Sequence, residues 1–403
     1  MAKMLPVAEA IRIVKEQTKQ LPAEKVQLAD ALSRALAEDV VADSDLPPFD
    51  RAQMDGYAVR STDTANVPAR LRVVGESAAG RGWHNEMKAG EAVRIMTGAP
   101  VPAGADSVQK VEVTVESDGV VEIAEATRPG QFIVKRATEI KAGETVLRAG
   151  EEINAARMAA LASFGYAEVK VGGRPRVAVL ATGSELVAVN KQPGADQIRD
   201  SNSYSLGAYA QLAGAQVERL PLAGDDPKLL QREIAAAAAR SDALILSGGV
   251  SMGVYDFTKA ALHALDAEVF FERVSLRPGK PTVFARLGST LIFGLPGNPV
   301  SVSVTFNLFA RTALRAMQGC REAALLEEWA VLVRGVKGAL ERESYLPARL
   351  STDEDGRLLA EPLKWGGSSD FVAFASATAL VHVPEGVPFV DAGEKVRVVR
   401  LPG

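Results

Sequence analysis

Residues 291–303 read LIFGLPGNPVSVS. An apolar run halts at Gly294-Leu295-Pro296-Gly297-Asn298-Pro299, and a Val/Ser-rich stretch follows. Proline fixes φ and glycine frees it, so this turn is stiff yet lets the backbone come close to another group. A buried strand that runs through such a turn into a helix is a unit of an α/β sheet. The pattern recurs upstream: RVAVLATG (176–183) and SDALILSGG (241–249) are strands ending in glycine. Helical stretches lie between. Residues 203–215 follow the cap candidates Asp200-Ser201-Asn202. The segment 226–240 has Asp226 as N-cap and Pro227 in the first helical position, and 258–266 and 301–317 complete the set. VFFERVSL, TVFARL and STLIFGL, between 269 and 295, fit strands joined by turns. Strands alternating with helices of about 10–15 residues predict a doubly wound, parallel sheet covered on both faces.

The flanks differ. Residues 7–19 and 28–38 have helical spacing, with Val7, Ile11 and Val14, then Leu28, Leu32 and Leu36, as apolar stripes. Pro47-Pro48 marks a boundary. Residues 60–140 hold short Val-rich runs broken by glycines, as in a small β domain, and NAARMAALASFG (154–165) resumes helix. After 320, short strands with Gly/Pro turns predict a second small β domain. The predicted partition is an N-terminal linker domain (1–45 and 141–174), a small β domain inserted in it (46–140), a central α/β domain (175–322) and a barrel-like C-terminal β domain (323–403).

Composition narrows the function. With 403 residues, 47% hydrophobic and 24% charged, the chain is an ordinary multidomain globular protein. A net charge of −4 and the lack of a basic run argue against a nucleic-acid binder. No apolar stretch reaches the ~20 residues that cross a bilayer. The single cysteine, Cys320, excludes an internal disulfide and fits a reducing, cytoplasmic setting. The three scattered histidines give neither a zinc motif nor a local triad.

In an open α/β sheet, ligands sit beyond the carboxyl ends of the strands. Three glycine-containing turns fall there: Thr182-Gly183-Ser184-Glu185, Ser247-Gly248-Gly249-Val250-Ser251, and Pro296-Gly297-Asn298. Each alone is an ordinary tight turn. Together they predict a cleft rich in N–H and hydroxyl donors, suited to phosphate. None is a P-loop or a dinucleotide fingerprint. In SLRPGKP (275–281), Arg277 and Lys280 flank a stiff turn. They are either solvated surface charges or a grip on a small oxyanion. Glu185, Asp225 and Asp256 are hard oxygen ligands for Mg²⁺, while Asp256 has a capping alternative. Met54-Asp55-Gly56-Tyr57 and Met96-Thr97-Gly98 are, read locally, only turns.

MDGYAV, RIMTGAPVPAGAD, LATGSEL, QIRDSNSYSL, SGGVSMGVYDFTK, RPGKP and GLPGNPVS occur in this order. Together they resemble the molybdopterin molybdenumtransferase (MoeA) family, related to the C-terminal domain of gephyrin, from about residue 5 to 400. The resemblance implies a central molybdopterin-binding domain and insertion of molybdenum from molybdate into adenylylated molybdopterin, with Mg²⁺ and release of AMP. It also implies a homodimer whose active site is shared between subunits, and contact with the adenylyltransferase that supplies the substrate.

By motif match, Asp55, Thr97, Asp225 and Asp256 are the catalytic candidates, and Glu185, Asp225 and Asp256 the metal candidates. Gly183, Glu185, Ser247, Gly248, Gly249, Ser251, Pro296, Gly297 and Asn298 are carried over as substrate-binding. Arg277, Lys280, Pro281, Arg349 and Ser368 are carried over for molybdate. Three departures stand out: Arg277 where the family has Lys, Val254 where it has an acid, and an altered segment at 134–139. The alternatives are an adenylyltransferase-like enzyme, a non-catalytic scaffold and a tungstate-specific relative.

Overall fold

A computed structural model describes residues 4–224, 226–249 and 257–402. The chain divides into two compact units. One comprises Met1–Glu38, Ala149–Ala155 and Glu168–Gly403; the other comprises Asp39–Arg148 and Ala156–Ala167.

In the first unit, helix α1 (Val7–Gln17) precedes a six-stranded sheet. Its strands are β1 (Arg176–Ala181), β2 (Gln216–Arg219), β3 (Ala243–Ser247), β4 (Glu268–Phe271), β6 (Val283–Leu287) and β7 (Thr290–Leu295), in the order β2-β1-β3-β7-β6-β4. The short strand β5 (Leu276–Arg277) belongs to another sheet. β2, β1, β3 and β7 run parallel, while β6 and β4 close the edge antiparallel, so the sheet is mixed. Val177–Ala181, β3 and β7 are buried throughout, as strands covered on both faces must be.

Side chains alternate across each strand, and the two faces are filled by different helices. Val177, Val179, Ile245 and Phe293 pack with α1, α2 (Asn202–Leu212), α5 (Pro299–Thr305) and α6 (Arg311–Met317). Ala178, Leu180, Leu244 and Ile292 pack with α3 (Pro227–Ala238) and α4 (Phe257–Ala264). Asp226 caps α3 by accepting from the amides of Lys228 and Leu229, with Pro227 following, as its sequence predicts.

The C-terminal part is a closed five-stranded barrel. β8 (Glu327–Leu332), β9 (Glu343–Thr352), β10 (Leu358–Pro362), β11 (Ala379–Val383) and β12 (Lys395–Arg400) pair in the order β9-β10-β8-β12-β11, and β11 returns to β9. β5 pairs in parallel with the start of β9, Leu276 opposite Glu343 and Arg277 opposite Ser344. The RPGKP loop is thus anchored to the barrel.

The second unit holds a six-stranded sheet that includes Gly56–Val59, Ala69–Ser77 and Glu91–Ile95, and all but the first residue of the helix Ala155–Ser163.

The helix expected over 28–38 does not form. One 3-10 turn spans Leu28–Asp30, Ser33 has φ 63°, and Leu36 bridges to Val171. The amides of Ser33, Leu36 and Ala37 donate to Ile153, Glu151 and Lys170. Partners distant in sequence take the hydrogen bonds that a helix would have made locally, so the leucine spacing is overridden.

Candidate functional site

The parallel strands end level. Ala181 pairs with Ser247, and Ser247 with Leu295, so the three glycine-containing turns leave one edge of the sheet side by side. They border a cleft of about 1040 Å³. Gly183, Glu185, Ser247, Gly248, Gly249, Pro296, Gly297 and Asn298 all line it, so eight residues expected from separate motifs meet at one place. Asp225, Ser251 and Asp256 lie outside the described residues.

Asn202 ties two of these turns together. Its Nδ2 donates to Ser247 Oγ at 2.8 Å and to the Gly297 carbonyl at 2.7 Å. Its Oδ1 is buried without a hydrogen-bond partner among the described residues. Asp200 is buried two residues earlier and accepts from the Ser203 amide and hydroxyl, fixing the start of α2 at the cleft. Sequence reasoning gave Asn202 only a capping role. The signal for the bridge, an amide side chain opposite two strand ends, exists only once the strands are paired.

Beside this cleft lies a second, of about 490 Å³, and the two share Pro281, Pro296 and Asn298 in their walls. The second is formed by the RPGKP loop, the start of α5 and the barrel segment 365–368. Arg277, Lys280, Pro281 and Ser368, the residues carried over for molybdate, line it. So do Arg342 and Trp365, which the sequence does not single out. Three cations thus face a space with no carboxylate among its described lining residues, beside donors from Asn298, Ser301 and Ser368. Such a lining attracts an oxyanion by charge and satisfies it by hydrogen bonds.

The loop that carries the cations is built rigidly. Pro278 and Gly279 are buried, and the Thr282 hydroxyl donates to the Gly279 carbonyl at 2.7 Å. Gly279 has φ 121°, and a Cβ there would lie 2.5 Å from Thr305 Cγ2, so no larger residue fits. Arg277 gives one N–H to the Gly338 carbonyl at 3.1 Å. Asn298 Nδ2 donates to Ser368 Oγ at 2.9 Å, and the Val300 backbone amide to the Ser368 carbonyl, joining the α5 start to the barrel.

Arg349 does not line either cleft. It pairs with Glu361, five residues along β9 from the rung opposite Arg277, or roughly 17 Å at the rise of a strand. Asp55 and Thr97, both in the second unit, do meet. The Thr97 amide and hydroxyl donate to Asp55 Oδ1 at 2.6 and 2.7 Å. The hydroxyl, then the amide, hold the Asp55 carboxyl below the usual range.

Glu185 is the one Mg²⁺ candidate among the described residues. It is exposed at the cleft, with its carboxylate against Gly183, where a Cβ would fall 2.5 Å from Oε2. No group of three His, Cys, Asp or Glu side chains forms a metal site among the described residues. One carboxylate at the edge of this cleft still fits Mg²⁺, which takes one or two carboxylates together with substrate oxygens.

The MoeA N-terminal region (domains I and II) matches residues 5–165, a probable molybdopterin-binding domain matches 178–316, and the MoeA C-terminal region (domain IV) matches 330–401. A molybdopterin molybdenumtransferase of Staphylococcus aureus (strain COL) is 35% identical over 399 residues, covering 98% of this chain and 95% of the relative. The chain belongs to the MoeA family. Another family member, a molybdopterin molybdenumtransferase of Haemophilus influenzae, is 34% identical over 377 residues, 93% of each chain. The MoeA crystal structure from Pyrococcus horikoshii OT3 superposes with a TM-score of 0.85 at 27% identity, over 99% of this chain and 100% of that one. The mixed α/β sheet, the small β unit and the closed barrel are therefore the MoeA fold. No helix among the described residues is long and apolar enough to cross a membrane.

Proposed function

We propose that this chain is a molybdopterin molybdenumtransferase, which inserts molybdenum from molybdate into adenylylated molybdopterin and releases AMP. One observation carries the reading: a cleft lined by Arg277, Lys280 and Arg342, with no carboxylate among its described lining residues, shares a wall with the larger cleft at the strand ends. An oxyanion beside Arg277 and Lys280 would adjoin an elongated anionic substrate held by the three turns.

In this reading the chain supplies position and charge, with no covalent nucleophile. Arg277 and Lys280 neutralise molybdate, and Ser368 and Asn298 orient it. The turns at Gly183, Gly248 and Gly297 admit the pterin and nucleotide phosphates close to the backbone. Glu185, with Asp225 and Asp256, would hold Mg²⁺, which stabilises negative charge on the phosphoanhydride when bound.

The same reading makes the protein a homodimer in which Asp55 and Thr97 serve the cleft of the other protomer. Coexpressed Asp55→Ala and Lys280→Ala chains should then recover part of the activity that each lacks alone, and no recovery would refute the sharing.

The test of the activity is direct. Purified protein is incubated with adenylylated molybdopterin, Mg²⁺ and molybdate, and AMP is measured. Release that requires molybdate is expected. A folded protein that releases none, or that instead adenylylates molybdopterin from ATP without using molybdate, would overturn the reading.

A further inference from the structure

The strand-end cleft contains an aromatic side chain that no sequence motif marks. We propose that Phe371 is a stacking platform for the pterin ring of the substrate, and so fixes which end of adenylylated molybdopterin lies beside the oxyanion. The inference rests on the reading of the two clefts proposed above and adds a specificity-determining residue to it.

Three observations carry it. First, Phe371 lines the strand-end cleft and is the one aromatic side chain among its described lining residues. It is 52% exposed, and Ile198, which also lines the cleft, is 59% exposed. Large apolar side chains left open at the wall of a cleft suit a flat ring that covers them. Second, this exposure is built into the local fold. Asp370 caps the short helix Phe371–Phe374 by accepting from the Ala373 amide at 3.2 Å, and it accepts from the Gly366 amide at 2.8 Å. Phe374 is 7% exposed and sits in the apolar core with Tyr345 and Leu380. One phenylalanine of the helix anchors it, and the other is presented.

Third, the segment that carries Phe371 passes from one cleft to the other. Ser368 lines the oxyanion cleft, while Ser369 and Phe371 line the strand-end cleft. Ser368 is tied to the start of α5 by Asn298 Nδ2 at 2.9 Å and by the Val300 backbone amide at 3.0 Å. Three residues of extended chain span at most about 11 Å, so the Phe371 backbone lies within that distance of Ser368. Phe371 is therefore held on the side of the strand-end cleft that adjoins the oxyanion cleft.

The chemistry of the substrate selects the ring. Adenylylated molybdopterin carries a flat heterocycle at each end, adenine on the nucleotide side and the pyrimidine half of the pterin on the other. The dithiolene that takes up the metal lies on the pyran ring fused to the pterin. The pterin is thus the heterocycle nearer the oxyanion, and it is the one that Phe371 meets. Stacking of one base on an aromatic side chain corresponds to roughly 5–100-fold in affinity. Replacing Phe371 by alanine should then weaken molybdopterin by about that factor and leave AMP within about twofold of wild type.

The experiment is anaerobic isothermal titration of the purified full-length protein with molybdopterin, AMP and molybdate, each alone. Phe371→Ala should weaken molybdopterin only. Phe371→Trp, which keeps a ring, should retain the affinity, and Phe371→Leu, which keeps apolar bulk without a ring, should lose most of it. Val372 is the control: it is on the same helix, 71% exposed, and outside the described lining of both clefts, so Val372→Ala should bind as wild type. If Phe371→Ala weakens AMP and spares molybdopterin, adenine is the stacked ring and the proposal fails. It fails equally if all three ligands weaken together, which would mark a displaced barrel segment, or if none does. Should Phe371→Ala not fold, Phe371→Leu decides alone: unchanged molybdopterin affinity would overturn the stacking. A folded wild type that binds neither molybdopterin nor AMP would instead remove the reading of the strand-end cleft itself.

Discussion

Gly248 gives the sharpest structural prediction. It follows β3 at the centre of the strand-end cleft and has φ 95°. A Cβ built there lies 2.4 Å from the Thr182 carbonyl oxygen and 3.1 Å from Thr182 Oγ1. Ordinary contact begins near 3.4 Å, so Gly248→Ala leaves the two turns about 1 Å too close. The left-handed backbone adds about 1–2 kcal/mol for any residue with a Cβ. Relief of the clash must move the Thr182 turn or the Gly248 turn by about that ångström, and misplacement on this scale can cost on the order of 10²-fold in rate. Gly297 provides the control. Its backbone is not left-handed, and the nearest atom to a Cβ there is Gly248 Cα at 3.8 Å. Gly248→Ala should therefore lose about 1–3 kcal/mol in urea unfolding and around 10²-fold in AMP release. Gly297→Ala should stay within about 0.5 kcal/mol of wild type. Equal stability of the two variants, with full activity in Gly248→Ala, would refute the reasoning.

Two further perturbations test the site's construction. Asn202→Ala removes the bonds to Ser247 and Gly297, each worth about 0.5–1.5 kcal/mol net. Urea unfolding should show a loss of about 1–3 kcal/mol, with a raised KM for the adenylylated substrate; an unchanged KM would separate Asn202 from the cleft. Thr97→Val removes the hydroxyl that does most to depress the Asp55 pKa. Because that pKa is lowered by folding, its stabilisation is complete above the ordinary carboxylate value and fades as pH falls through the lower folded value. An NMR carboxyl titration should therefore show Asp55 moving up towards its ordinary value in the variant, and no movement would contradict the assignment.

Much of this arrangement is legible in the sequence because it is local. A buried strand, a glycine turn and a capped helix declare themselves within about 20 residues, as the Asp226-Pro227 cap shows. The level strand ends follow from parallel pairing, which the βα alternation implies. What is lost is whatever depends on register between distant segments. Leu28, Leu32 and Leu36 have helical spacing, but strand partners at 151–153 and 170–171 claim that stretch. Arg349 and Arg342 both look like arginines near a strand, and only the pairing of Arg277 with Ser344 shows which end of β9 meets the cleft. Asn202 reads as a cap until the chain brings Ser247 and Gly297 beside it.

The central claim is that molybdate binds beside the RPGKP loop while the strand-end turns hold the adenylylated substrate. The dependence of AMP release on molybdate concentration, compared between wild type and Lys280→Gln, tests it most directly. The account predicts a KM for molybdate raised on the order of 10-fold or more, with the KM for adenylylated molybdopterin little changed. An unchanged molybdate KM, or a loss confined to the adenylylated substrate, would contradict it.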